Sequence, residues 1–328
     1  MKTVTPNVKP HRRNLPLKVG TRGSPLARQQ TETFLGLIRA VCPAMGRTEM
    51  FEEHIITTTG DAVQNRPLAE IGGKGLFAKE IHDSLAAGRI DFAVHSLKDL
   101  ETTLPEGIAL ACTLKREDAR DVLILPPGRT PADPADPYGA LPHGATVGSA
   151  SVRRQAQMKY ARPDLNFTLL RGNVGTRLAR IEAAELDGTL LAQAGLKRLG
   201  LVPQSSVVLS PEQMVPAACQ GIVGITVRTA DEDLWELLAA IEDQEAKAVS
   251  RAERALLATL DGSCRTPIGG YARLLENGAL HLTGLVARAD GSFLLKRSLT
   301  GAADDAERLV RELGESLKAD SPPDIFLP

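Results

Sequence analysis

Ile90-Asp91-Phe92-Ala93-Val94-His95-Ser96-Leu97-Lys98-Asp99 is the stretch from which the fold is read. Its first half is a short apolar run that reads as a buried strand. Its end places a hydroxyl, an ammonium and a carboxylate close together at Ser96, Lys98 and Asp99. Turn residues follow from Glu101 to Gly107. Ligands in open α/β sheets bind just past the carboxyl ends of strands, which is where these groups fall. A strand ending in solvated charges has the same local pattern, so the rest of the chain decides between the two.

Toward the N-terminus, residues 17–20 predict a strand and residues 26–41 a helix. Ser24 is a good N-cap there and Pro25 suits the first helical position. Residues 49–58 predict a second strand. A loop over 60–75 contains Gly72-Gly73-Lys74-Gly75, and residues 76–87 predict a helix with Leu76, Phe77, Ile81 and Leu85 on one face. Toward the C-terminus, strands are expected at 108–114 and 122–125, then a proline-rich loop over 126–142. Further strands are expected at 146–148, 167–170, 190–192, 207–209 and 222–227. Helices are expected after Ser151, after Arg171-Gly172-Asn173, and over 231–260 with a break near Asp243. The alternation implies an α/β fold with mostly parallel pairing. The last region differs: strands at 268–274, 281–288 and 293–299 are separated by the hairpin signals Glu276-Asn277-Gly278 and Asp290-Gly291, and a helix follows. That is a small α+β domain with an antiparallel sheet.

The totals bound the function. At 328 residues the chain exceeds one compact core. Its net charge of −1 gives no global field for nucleic acid or an anionic membrane, and 3% aromatic residues argue against base-stacking platforms. Cys42, Cys112, Cys219 and Cys264 are scattered with no Cys/His cluster, so neither a metal site nor a disulfide scaffold is expected, and a reducing compartment is. Residues 1–16 are basic and proline-bearing with no apolar core, so they read as neither a signal peptide nor a membrane span. A cytoplasmic protein is the expectation.

Several arginines sit at the wrong ends of helices. A helix N-terminus carries partial positive charge and disfavours a cation by roughly 0.3–1 kcal/mol. Yet Arg22 precedes one start, Arg153 and Arg154 lie in the first turn of another, and Arg171 and Arg177 flank a third. A bound anion at each would resolve the conflict, gripped by free backbone N–H groups and guanidinium forks. Solvation or pairing with protein carboxylates is the other resolution. A polyacid ligand fits the first; nucleotides fit poorly. A P-loop needs an earlier glycine before its Gly-Lys pair and a Ser or Thr after it, and here Leu68 and Gly75 fill those places. Lys74 remains a candidate anion contact. Gly262-Ser263-Cys264-Arg265-Thr266-Pro267 sets a thiol beside an arginine in a tight loop, surroundings that can raise reactivity; a cysteine filling a packing gap is the plainer reading. His95 reads as a packed strand residue.

Together these pieces resemble the porphobilinogen deaminase family. The resemblance is carried by Thr21-Arg22-Gly23-Ser24-Pro25-Leu26-Ala27, Gly72-Gly73-Lys74-Gly75-Leu76-Phe77, Val94-His95-Ser96-Leu97-Lys98-Asp99, Arg171-Gly172-Asn173-Val174-Gly175-Thr176-Arg177, Ala194-Gly195-Leu196-Lys197-Arg198-Leu199-Gly200 and the Cys264 loop, in family order from about residue 17 to 272. It implies two α/β domains like those of periplasmic ligand-binding proteins, joined by two crossings near 115–120 and 215–221, plus a small third domain. The implied bounds are 1–114 with 222–240, then 121–215, then 244–328. It implies a transferase that joins four porphobilinogens head to tail, with loss of ammonia, to give hydroxymethylbilane in tetrapyrrole biosynthesis. The implied cofactor is a dipyrromethane primer, attached covalently to Cys264 as a thioether, and no metal is required. Asp99 matches the catalytic carboxylate. The resemblance assigns Ser24, Ser96, Lys98, Ser151, Arg153, Arg154, Gly172, Asn173 and Gln220 to the primer, and Arg22, Lys74, Arg171, Arg177 and Arg198 to the substrate. It further implies a monomer, no nucleic-acid or membrane partner, and hand-off of the product to the next pathway enzyme.

The chain departs from the family pattern at three places. Glu101 stands where proline is common, Cys219 where glycine is usual before Gln220, and Ser263 in place of a glycine. Two other readings are open on the residues alone. A two-lobed binder of small organic anions explains the arginines but not the Cys264 loop, and a phosphate-handling enzyme lacks a phosphate loop.

Overall fold

The computed structural model describes residues 14–46, 48–63, 66, 75–131, 133, 135–260 and 266–326. The chain forms two compact units, the first made of Met1–Ala62, Gly73–Arg116 and Ile222–Lys247. Its five-stranded sheet has the order β2-β1-β3-β10-β4. Here β1 is Leu17–Thr21, β2 Phe51–Ile55, β3 Phe92–Ser96, β4 Ile108–Thr113 and β10 Val223–Arg228. Successive residues of β3 point to opposite faces, and the packing follows that rule. Phe92 and Val94 join Phe34 and Ile38 of α1 (Pro25–Val41) and Leu234 and Leu237 of α7 (Glu232–Ala239) in one core. Ala93 joins Ile81 and Leu85 of α3 (Lys79–Ala86) on the other face. The Phe34 and Phe92 rings meet edge to face with centroids 5.4 Å apart.

The expected mostly parallel pairing is corrected by the sheet itself. Strand β1 is parallel to β2 and β3, but β10 runs antiparallel to β3 and to β4. A parallel neighbour requires a crossover connection from the strand before it. Strand β10 instead follows residues 117–221 of the second unit, so no such crossover sets its direction. Its register, Val223 opposite Ser96, together with the Leu97 N–H donating to Ile222 O, anchors the entry to the Leu97–Asp99 turn. The helix expected over 76–87 begins only at Lys79. Gly75, at φ +73°, turns the chain there, and its carbonyl accepts from the N–H groups of Ala78 and Lys79.

The second unit comprises Val63–Gly72, Glu117–Gly221 and Ala248–Pro328. Its larger sheet has the order β7-β6-β8-β5-β9, with β5 Asp121–Ile124, β6 Thr146–Gly148, β7 Asn166–Thr168, β8 Gly188–Ala192 and β9 Ser206–Val208. Again one strand opposes the rest: β6 is parallel to β7 and β8, and β5 is antiparallel to β8 and β9. Both sheets therefore share one topology. Helices α4 (Val152–Ala161), α5 (Val174–Glu182) and α6 (Gln193–Arg198) belong to this unit. So does the antiparallel sheet β11-β12-β13, made of Ile268–Leu274, Ala279–Ala287 and Leu294–Ala302. Its hairpins turn on Gly278 and Gly291, both with positive φ as the sequence signals require. Helix α9 (Ala306–Ala319) packs Leu313 and Leu317 over Gly284, where a Cβ would collide with Leu317. On its other face the sheet joins Ala156 and Val215 through Leu285 and Ala287.

The helical pattern over 231–260 breaks at residues 240–243. Asp243 restarts it by accepting the Ala246 N–H at 2.8 Å, the N-cap of α8 (Gln244–Thr259).

Candidate functional site

In the first unit, β3 ends at Ser96 and a single 3-10 turn, Leu97–Asp99, carries the motif outward. Leu97 is buried, Lys98 exposed, and the Asp99 side chain 31% exposed. Arg22, at the end of β1, brings Nη1 to 3.8 Å from Asp99 Oδ2. The same guanidinium is gripped by Asp61, with Nε donating to Oδ2 at 3.0 Å and Nη2 to Oδ1. It also lies over the Phe77 ring, 4.2 Å from the centroid, a cation–π contact. Burial opposes the Asp61 charge, but hydrogen bonds from Arg22 and Thr58 outweigh it and hold this carboxyl below its ordinary range. Arg22 is likewise held charged: burial works against it, and Asp61 and Asp99 overcome that. Ser24 caps α1 by accepting the Ala27 N–H at 3.2 Å. Ser96 Oγ exchanges hydrogen bonds with the Gln30 amide. His95 is buried with Nε2 3.0 Å from Thr226 Oγ1. Its pKa falls to about 3, first through burial and then through His82 and Arg22, so at neutral pH it is an uncharged packed residue.

In the second unit the arginines at the start of α4 turn inward. Arg153 and Arg154 are almost fully buried, and both reach Asp121, which is 0% exposed. Arg153 Nη1 donates to Asp121 Oδ2 at 2.8 Å and to Val215 O at 2.7 Å. Arg154 Nη2 donates to Asp121 Oδ1 at 2.7 Å, and its Nη1 to Leu190 O at 2.8 Å. Gln220, also fully buried, adds a third donor to Asp121 Oδ1 at 2.8 Å. Burial opposes the Asp121 charge, yet the two guanidinium groups hold this carboxyl far below its ordinary range. The balance for the arginines is different: two cations share one carboxylate. Burial holds Arg153 below its ordinary value, Asp121 offsets this only in part, and the like charge of Arg154 adds to it. Arg198 is also held low by burial, and it gives Nη2 to Gly221 O at 2.7 Å. Buried positive charge in excess is costly, and a ligand carboxylate relieves that cost.

The remaining expected residues are placed as follows. Ser151 Oγ caps α4 by accepting the Arg154 N–H at 3.4 Å, and Asn173 Oδ1 caps α5 through Thr176 N–H at 2.9 Å. Arg177 Nε donates to the carbonyl of Gly172 at 2.9 Å, and Arg171 Nη1 to that of Arg66 at 2.9 Å. Lys74 and Cys264 lie outside the described residues. The first unit thus gathers Arg22, Ser24, Ser96, Lys98 and Asp99 around the ends of β1 and β3. In the second, Arg153, Arg154 and Gln220 share one buried hub on Asp121, and Ser151 caps the helix start beside it. The arginines at helix starts therefore have acceptors of the chain's own, where the sequence suggested a bare anion site. Sequence reasoning missed Asp61 and Asp121. Asp121 left one trace, a lone carboxylate opening an otherwise apolar strand, Asp121-Val122-Leu123-Ile124.

Two mixed five-stranded sheets of matching strand order, each with basic helix starts, define an α/β protein. A family model described as "Porphobilinogen deaminase, dipyromethane cofactor binding domain" matches residues 17–236, and one described as "Porphobilinogen deaminase, C-terminal domain" matches 246–319. The chain belongs to the porphobilinogen deaminase family. It is 44% identical over 312 residues to the porphobilinogen deaminase of Paracoccus denitrificans, covering 95% of this chain and 96% of the relative. It is 42% identical over 312 residues to the chloroplastic porphobilinogen deaminase of Oryza sativa subsp. japonica, covering 94% and 85% respectively. Among solved structures it is similar to an arginine-specific periplasmic binding protein of Salmonella typhimurium, with TM-score 0.39 and 14% identity over 72% of this chain and 97% of that one.

Proposed function

We propose that this protein joins four porphobilinogens head to tail, releasing ammonia, to give hydroxymethylbilane, and that it does so on a dipyrromethane primer held through a thioether at Cys264. Family membership across both matched regions supports the reaction. The donor set of the second unit fits a polycarboxylate primer, because Arg153, Arg154 and Asp121 together leave one buried positive charge unbalanced. Arg153, Arg154, Ser151, Gln220, Gly172 and Asn173, with Ser24, Ser96 and Lys98 of the first unit, would hold the primer's acid arms. When bound, the primer supplies an electron-rich pyrrole carbon as the nucleophile.

The observation that carries the chemistry is the setting of Asp99. Its carboxylate is partly exposed at a strand end, with Arg22 near but not hydrogen-bonded to it. As the aminomethyl C–N bond of the substrate breaks and ammonia leaves, positive charge spreads over the pyrrole. Asp99 stabilises that charge and accepts the pyrrole N–H. A carbon–carbon bond then forms to the methylene that ammonia left, and the proton lost from the nucleophilic pyrrole carbon passes to the same carboxylate. Arg22, Lys74, Arg171, Arg177 and Arg198 are assigned the acetate and propionate arms of the incoming substrate. Among the described residues no helix is long and apolar enough to cross a membrane. A monomer acting in the cytoplasm and passing its product to a following enzyme completes the proposal.

Purified protein given porphobilinogen is expected to release one ammonia per porphobilinogen consumed and one bilane per four. Binding without ammonia release would reject the reading in favour of a small-anion binder.

A further inference from the structure

His82 of α3 is 2% exposed, and neither of its ring nitrogens has a hydrogen-bond partner among the described residues. A buried polar group left in that state is expensive and calls for a reason. One face of the ring meets His95, with centroids 5.4 Å apart. His82 Nδ1 lies 3.4 Å from Oε1 of Glu101, itself 13% exposed, so a small shift closes a hydrogen bond.

Glu101 stands two residues past Asp99 in the sequence. Its carboxylate also lies against Gly75, where a Cβ would stand 3.0 Å from Oε1 and 3.2 Å from Oε2. One side chain therefore touches helix α3, the Gly75 turn that leads into that helix, and the exit of the Leu97–Asp99 turn. The entry of the turn is pinned by Leu97 N–H on Ile222 O and by the Ser96–Val223 pairing. At the exit the Leu100 N–H donates to Leu97 O at 3.2 Å, and no proline at 101 fixes the chain.

We infer that Glu101 and His82 form a positioning couple, His82 Nδ1–H donating to the Glu101 carboxylate, which fixes the exit of this turn and so aims Asp99. The inference rests on the catalytic reading of Asp99. It also ties Gly75, and hence the backbone next to Lys74, to the same carboxylate. Glu101 and His82 touch no substrate in this role.

A double-mutant cycle on the full-length, primer-loaded enzyme tests it. Glu101→Ala and His82→Ala are each expected to lower kcat about tenfold, since misplacing a reacting group by ~1 Å costs up to about a hundredfold. KM should stay within about twofold, because binding made equally in ground and transition states is untouched. Glu101→Gln, which keeps an acceptor, is expected to restore most of the rate. The double variant should lose no more than either single one, as coupled residues do. Losses that multiply, or singles with wild-type kcat, overturn the couple. Should an alanine variant fail to fold, Glu101→Leu and His82→Phe, which remove the acceptor and the donor while keeping bulk, complete the same cycle. Asp99→Ala in the same assay separates the two claims: activity there sinks the catalytic reading itself, whereas its loss beside unaffected Glu101 and His82 variants sinks only the couple.

Discussion

Asp99→Ala is expected to leave the fold intact and to lower bilane formation by about 10³-fold or more, the scale of removing a group that both stabilises developing charge and moves a proton. The fold survives because the side chain is 31% exposed and its nearest cation, Arg22, keeps both bonds to Asp61. Asp99→Asn should fare nearly as badly. The amide keeps size and some hydrogen bonding but carries no charge to meet a cation and takes up no proton. Ammonia release and bilane absorbance give the rate, and thermal melting reports the fold. A variant that melts like the parent and turns over normally would remove Asp99 from the chemistry.

The second large effect falls on stability. Asp121→Ala is expected to destabilise the protein by about 3–5 kcal/mol, the cost of leaving buried cations unpaired. Arg153 and Arg154 would lose their shared acceptor, and the Gln220 amide would lose its bond to Asp121 Oδ1. The sign of the pH dependence follows from the depressed pKa of Asp121. An acid whose folded pKa lies below its unfolded value of about 3.9 contributes stability that is present above that value. The contribution is lost as pH falls from there toward the folded pKa. Urea titrations of the parent across this acid range should show the loss, and Asp121→Asn should flatten that part of the profile.

These two residues also show how far the sequence could be read. The place of Asp99 just past a strand end was legible because the strand and the turn lie within ten residues of chain. The caps at Ser24 and Ser151 were legible for the same reason, each bonding an N–H three positions on. Asp61 and Asp121 were not. They meet Arg22 and Arg153 across separations of 39 and 32 residues, and no periodicity marks such a pairing. The misplaced arginines were a true signal of anions, but the first anion at each of these two starts proved to be the protein's own. The direction of β10 was hidden because it depends on where the chain returns from the second unit, not on the apolar run Ile222 to Val227. The Glu101 departure was visible, but its meaning needed His82 and Gly75 beside it.

The claim on which the account turns is that a cysteine-linked primer, its acid arms held by buried arginines, is the platform for synthesis. The intact mass of the native protein measures this directly. The account predicts a mass above that of the bare chain by two pyrrole units, lost in Cys264→Ser together with turnover. A catalytically active protein at the bare-chain mass, or a Cys264→Ser variant that still makes bilane, would contradict it.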